Sequence, residues 1–123
     1  MERTFAVLGA LSAFIAVAAG AFGAHTLRSR ISAEMLAIFE TGARYQMYHA
    51  LALLGTALAV LNWNHSFLPI LAGWLFLAGV VLFSGSLYLL VFSNNRRWGA
   101  VTPLGGIAFI AGWVCLALSA VYI

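Results

Sequence analysis

Four long apolar stretches, almost free of charge, constrain this chain more than any other feature of its sequence. A membrane-spanning helix needs about 20 mostly apolar residues, and such stretches occur at about 5–24, 45–61, 67–92 and 103–123. Only 7% of the residues are charged, against roughly 25% in a soluble domain. We therefore predict an all-α, polytopic membrane protein in which residues 1–123 form one domain, a bundle of four transmembrane helices.

The segment 31–39, between the first two spans, has two interpretations. Ser32 is suited to cap a helix that begins after it, and one helical face carries Ile31, Met35, Ile38 and Phe39. The pattern predicts a short amphipathic helix on the cytoplasmic membrane surface. The alternative is that these residues form the first turns of an extended second helix.

The arginines predict the orientation of the chain. Cytoplasmic loops of membrane proteins carry an excess of basic residues. The opposite side of the predicted bundle has only Arg3 and the uncharged turn 62–66. We therefore expect both termini to lie outside the cytoplasm, with the spans in the plasma membrane. The basic residues assigned to the cytoplasmic side are Arg28, Arg30, Arg44, Arg96 and Arg97.

Small residues repeat at helical spacing along the first and fourth spans. In lipid, helices associate through close backbone approach and polar contacts rather than through hydrophobicity. These stripes therefore predict tight packing, within one bundle or between protomers of a homo-oligomer. They consist of Gly9, Ser12, Ala13, Ala16, Gly20 and Gly23 in the first span and Gly105, Ala108, Gly112, Cys115 and Ser119 in the fourth.

Polar side chains gather toward the predicted cytoplasmic ends of the spans. Such residues are costly inside a membrane and mark functional positions, and the start of the fourth helix would add unpaired N–H groups that favour an anion. We predict a pocket for a lipid head group or a small anion. The alternative is that these groups only hold the bundle together. The candidate ligand-binding residues are His25, Tyr45, Gln46, His49, Ser84, Tyr88, Thr102, Gly105 and Gly106.

Glu40 and Arg44 lie on the other side of the second helix. Because they are four residues apart, they can form an ion pair. Arg44 can instead extend its side chain to a lipid phosphate. We therefore assign these two residues to an ion pair or a lipid-phosphate contact.

Several classes of chemistry are disfavoured. The acidic residues are Glu2, Glu34 and Glu40, and the chain has no lysine for Schiff-base chemistry and no nucleotide-binding loop. The single Cys115 and the spacing of the histidines do not indicate a metal or haem site. Loop arginines next to apolar spans fit membrane orientation better than nucleic-acid binding. We expect no catalytic residue, no metal, no cofactor and no nucleic-acid partner.

Five groups of residues are familiar in combination: 20–25 at the end of the first span, 41–49 in the second, 82–88 in the third, and 102–106 with 112–113 in the fourth. They resemble the bacterial domain-of-unknown-function family 423, whose eukaryotic relatives include transmembrane protein 256. The resemblance covers nearly the whole chain. It implies a small four-helix membrane protein and no particular activity.

The leading hypothesis is a non-enzymatic membrane protein whose partner is membrane lipid, bound or moved through the polar pocket. One alternative is an accessory or assembly subunit of a larger membrane complex, as the small size and the glycine-rich helix faces suggest. Another is a small transporter, which would need to oligomerise because four helices form a thin pathway.

Overall fold

The computed structural model describes residues 1–63 and 65–122, and this part of the chain is helical, without a strand. Short 3-10 turns occupy Leu27–Ser29 and Arg96–Ala100, and a π-helical turn at Val80–Ser84 joins α3 to α4. Asn64 of the predicted outer turn and Ile123 at the predicted end of the fourth span lie outside the described residues. The α-helices are α1 (Glu2–His25), α2 (Ala33–Asn62), α3 (Leu68–Gly79), α4 (Gly85–Ser93) and α5 (Thr102–Val121).

The all-α class is confirmed, but the count of four spans is not. Among the described residues, three helical stretches are long and apolar enough to cross a membrane: Glu2–Ser29, Leu68–Ser93 and Arg96–Val121. The predicted second span, within α2, is not one of them. Its first turns carry Tyr45, Gln46 and His49, which lower the hydropathy of the helix.

The second helix is continuous over 30 residues, so the separate amphipathic helix at 31–39 was a wrong prediction and the extended-helix alternative was right. Ser32 caps this helix, since its hydroxyl oxygen accepts a hydrogen bond from the Met35 N–H at 3.2 Å. One side of these first turns packs against protein. Phe39 is 3% exposed and packs with Leu27 and Leu90.

The third predicted span, 67–92, is one helical stretch whose middle widens into the π-helical turn. A π-helical turn accommodates one extra residue within an α-helix and is frequent at functional sites. The sequence analysis did not predict it. Within this turn, the hydroxyl of Ser84 donates to the Gly42 carbonyl of α2 at 2.6 Å, which fixes the turn against its neighbour.

Glycines allow the helices to approach closely. A Cβ added to Gly9 of α1 would lie 2.9 Å from the Ala50 carbonyl oxygen of α2. The core aromatic rings likewise rest on glycines, with Phe5 on Gly73 and Phe109 on Gly79. The predicted stripes are packing surfaces, and their buried members are Gly9, Ser12, Ala16 and Gly23 of α1 and Gly105, Gly112 and Ser119 of α5.

An exposed ion pair ties together the two arginine-bearing loop regions. The Arg96 guanidinium donates to Glu34 at 2.8 Å. This hydrogen bond, together with the positive charge, lowers the pKa of the Glu34 carboxyl. The contact connects the start of α2 with the segment between α4 and α5, so both regions lie at the same end of the bundle.

The neighbouring glycines Gly105 and Gly106 provide a matched test of helix packing. A Cβ at Gly105 would lie 2.4 Å from the Phe83 backbone nitrogen, whereas one at Gly106 would meet nothing within 4 Å. We expect Gly105→Ala to lower the free energy of unfolding by about 1–3 kcal/mol, because helix backbones must separate. Gly106→Ala should leave it unchanged or raise it by about 1 kcal/mol at most, because alanine favours a helix. Detergent-induced unfolding in mixed micelles measures both, and equal losses would contradict this packing.

Candidate functional site

The polar residues predicted as one pocket mostly bond to each other or to backbone. The side-chain amide of Gln46 donates to the Ser12 carbonyl of α1 at 3.0 Å. Its carbonyl oxygen accepts from the Tyr88 hydroxyl of α4 at 2.7 Å. Gln46 is 4% exposed. This buried chain of bonds links α1, α2 and α4 and leaves little of Gln46 for a ligand.

Thr102 also has a partner within the protein. Its hydroxyl lies 2.6 Å from that of Ser86 in α4, a residue that the sequence analysis left out of the site. Thr102 is the first residue of α5, and the residue before it, Val101, makes no side-chain cap. The Ser86–Thr102 contact therefore joins α4 to α5.

Two further candidates lie away from this network. His25 is exposed at the end of α1. Gly105 is buried, and the backbone of Phe83 occupies the space that a ligand would need. The nine candidates therefore do not all line one cavity in the described part of the chain. Of the nine candidates, Tyr45, His49 and Gly106 meet in one cavity.

Aromatic rings line that cavity, which we call the aromatic groove and which has a volume of about 490 Å³. Tyr48 is 52% exposed, Trp113 46% and Ile110 66%, so the groove opens to the outside of the bundle between α2 and α5. Six of its eight lining residues carry an aromatic ring. The lining consists of Tyr45, Tyr48, His49, Phe83, Gly106, Phe109, Ile110 and Trp113.

His49 lies in the groove with both of its ring nitrogens hydrogen-bonded. Its Nδ1 lies 2.8 Å from the Tyr45 carbonyl oxygen, and its Nε2 lies 3.1 Å from the indole Nε1 of Trp113. Since the indole only donates, this network assigns the neutral tautomer with its proton on Nδ1. The ring also stacks on Phe109, with centroids 3.5 Å apart and planes 6° from parallel. His49 thus bonds to the backbone carbonyl of Tyr45 and not to its hydroxyl.

The kind of ligand that the groove can bind depends on which of its polar groups have no protein partner. Within the described chain, the hydroxyls of Tyr45 and Tyr48 have no protein partner, so both can donate to a ligand oxygen. No cation or carboxylate lines the groove, and the described residues contain no cluster of three potential metal ligands. The groove therefore suits an apolar chain or ring attached to a neutral hydrogen-bond acceptor.

Five lining residues were missed by the sequence analysis: Tyr48, Phe83, Phe109, Ile110 and Trp113. The sequence did contain a signal for them. Aromatic side chains four residues apart share a helical face, and such pairs occur at residues 45 and 49 of α2 and at residues 109 and 113 of α5. That α2 and α5 face each other here was not evident from either helix alone.

Glu40 and Arg44 do not pair with each other. The ion pairs in the described part of the chain are Met1–Glu2 and Arg96–Glu34. Both residues instead line a second groove, of about 310 Å³, which we call the charged groove. Its other lining residues are Ala16, Gly20, Ala43 and Met47.

Comparisons with known proteins agree with the resemblance found in the motifs. A family model described as "Protein of unknown function (DUF423)" matches residues 19–106. A UPF0382 membrane protein of Staphylococcus aureus is 46% identical over 123 residues, covering 95% of this chain and 94% of the relative. The UPF0382 membrane protein YwdK of Bacillus subtilis is 45% identical over 119 residues, covering 97% of each. No solved structure matches.

The buried tyrosine contact can be tested against an exposed tyrosine. Tyr88→Phe removes the donor to Gln46, so we expect a loss of about 0.6–1.7 kcal/mol in the free energy of unfolding, typical of an interhelical hydrogen bond. Tyr48→Phe removes a hydroxyl without a partner in the described chain and should have little effect. Unfolding of both variants in mixed micelles provides the measurement. If the two variants lose equal stability, the Tyr88–Gln46 bond does not hold the helices together.

Proposed function

This chain belongs to the DUF423 family, and we propose that it is a non-enzymatic, multi-pass membrane protein that holds an amphipathic membrane lipid in its aromatic groove. The observation that carries the proposal is the groove itself, a cavity of about 490 Å³ lined mainly by rings and open to the side of the bundle. A ligand from the bilayer can enter such a groove without crossing water.

The proposal includes four membrane spans. In it α2 crosses the membrane in addition to the three stretches that are apolar enough to do so. Gln46 and His49, two of the polar residues that lower the hydropathy of α2, are buried and hydrogen-bonded, so these two side chains are not exposed to lipid. The arginine loops then lie in the cytoplasm and both termini outside, in the bacterial plasma membrane.

The groove favours a lipid over the small anion that the sequence analysis also allowed. Its lining has no positively charged side chain, and His49 is neutral in the hydrogen-bond network described above. An acyl chain or other apolar tail would contact the rings of Phe83, Phe109 and Trp113. The hydroxyls of Tyr45 and Tyr48 would donate to oxygen atoms of the ester or head-group region.

Filling the groove from Gly106 tests this function. Since a Cβ at Gly106 meets nothing within 4 Å, Gly106→Leu places a bulky side chain in the groove without a backbone clash. We expect native mass spectrometry of protein extracted gently from its own membrane to show a lipid retained on wild type and lost, or at least severalfold reduced, on the variant.

Gly85→Leu is the matched control. It makes the same change at a helical glycine that also has nothing within 4 Å of an added Cβ and that lines neither groove. It should retain the lipid of wild type. Equal lipid retention by Gly106→Leu would overturn the proposal. A second polypeptide at fixed ratio on wild type, displaced by Gly106→Leu in place of a lipid, would instead favour the accessory-subunit hypothesis.

A further inference from the structure

We propose that the charged groove is a second lipid site, selective for a phospholipid that carries a primary ammonium beyond its phosphate, as phosphatidylethanolamine does. The inference rests on the four-span arrangement proposed above but not on the aromatic groove, from which the charged groove differs in every lining residue. The two sites can therefore fail independently.

The floor of the charged groove is built from small residues where α1 passes α2. Ala16 and Gly20 come from α1 and Ala43 from α2. A Cβ placed on Gly20 would meet nothing within 4 Å, so this glycine opens space rather than allowing close helix contact. The other packing glycines of α1, Gly9 and Gly23, are covered by α2 side chains or backbone.

The rim of the groove carries one charge of each sign, and neither is neutralised by the other. Glu40 and Arg44 are one helical turn apart, yet they form no ion pair in the described part of the chain. Glu40 is half-buried and Arg44 exposed. Two unpaired opposite charges beside one cavity are complementary to a ligand that is itself a zwitterion.

The order of the two charges along α2 matches the order of charges in such a lipid. Gly23, in the last turn of α1, packs against Phe39, which places Glu40 near the end of α1 where the arginine loops begin. Arg44 lies one turn, about 5.4 Å, farther into the bilayer. In the bound phospholipid the ammonium is nearer the water and the phosphate nearer the hydrocarbon. The ammonium would thus meet Glu40, and the phosphate Arg44.

These contacts also define which head groups are rejected. A primary ammonium donates charge-assisted hydrogen bonds to a carboxylate, whereas the quaternary ammonium of phosphatidylcholine has no N–H to donate. Phosphatidylglycerol has a phosphate for Arg44 but no cation for Glu40, whose negative charge would be left without a partner. Phosphatidylethanolamine satisfies both residues.

The test begins with the wild-type protein in nanodiscs that contain equimolar phosphatidylethanolamine, phosphatidylcholine and phosphatidylglycerol with identical acyl chains. Native mass spectrometry after gentle release measures which lipids remain bound. We expect phosphatidylethanolamine to be enriched about two- to fivefold over each of the others, the range for one partly solvated charge contact. Equal retention of the three lipids by wild type overturns the proposal without any variant.

Variants then assign the selectivity to the two charges. Glu40→Gln should abolish the preference over phosphatidylglycerol, and Arg44→Gln should reduce retention of all three lipids. The double variant Glu40→Arg, Arg44→Glu keeps the net charge but reverses the order, so it should lose the preference. Arg28→Gln removes an exposed charge outside the groove and should retain the preference for phosphatidylethanolamine. If the double variant still prefers phosphatidylethanolamine, the order of the two charges does not determine which head group binds.

Blocking variants separate this proposal from the proposed function. Gly20→Leu fills the charged groove and should remove the preference for phosphatidylethanolamine, while leaving any lipid in the aromatic groove. Gly106→Leu should remove the lipid in the aromatic groove and leave the preference for phosphatidylethanolamine unchanged. If Gly20→Leu leaves the preference unchanged, the charged groove is not its source, whatever the result for Gly106→Leu.

Discussion

The fold depends on how closely α2 can approach its neighbours in a solvent that gives helices no hydrophobic reason to associate. In lipid, packing and interhelical hydrogen bonds must supply the association energy. Gly9 brings the backbone of α1 onto that of α2, and the Gln46 amide then bonds to the Ser12 carbonyl. From the other side, Ser84 bonds to Gly42 of α2. These contacts place α2 between α1 and the α3–α4 stretch.

This arrangement explains why polar residues in one helix serve different purposes. Gln46 points into the bundle, and its amide is hydrogen-bonded to α1 and α4. Tyr45 and Tyr48 lie at the edge facing α5, and their hydroxyls have no partner in the described chain. On the opposite edge, Glu40 and Arg44 face α1 across the small residues of the charged groove. The central position of α2 thus creates a groove on each side of it, one aromatic and one charged.

Much of the helical architecture could be predicted because it depends on local patterns. The apolar stretches predicted the helices, and the spacing of Gly9, Ser12 and Ala16 predicted the packed face of α1. The predicted span at 45–61 is not among the three stretches apolar enough to cross a membrane. Hydropathy does not distinguish a polar residue that faces lipid from one, such as Gln46, that is bonded inside the bundle.

The site was predicted only in part, because a groove depends on which helices become neighbours. Tyr45, His49 and Gly106 were identified as polar or flexible residues, but their companions Phe109 and Trp113 look like ordinary lipid-facing aromatics in the sequence. Their role follows from the contact of α5 with α2, where the Trp113 indole bonds to His49. The π-helical turn that positions Phe83 is likewise a tertiary feature with no sequence signal that we could use.

The proposed function requires that lipid occupies the groove between α2 and α5 rather than merely surrounding the protein. Photolabelling with a phospholipid that carries a diazirine on its acyl chain, followed by mass spectrometry of the labelled peptides, tests it directly. Tyr48 and Ile110 of the groove are 52% and 66% exposed, and Val7 and Leu11 of α1, which line neither groove, are 56% and 55% exposed. A resident lipid predicts much stronger labelling of Tyr48 and Ile110, whereas equal labelling of all four residues would show that no lipid resides in the groove.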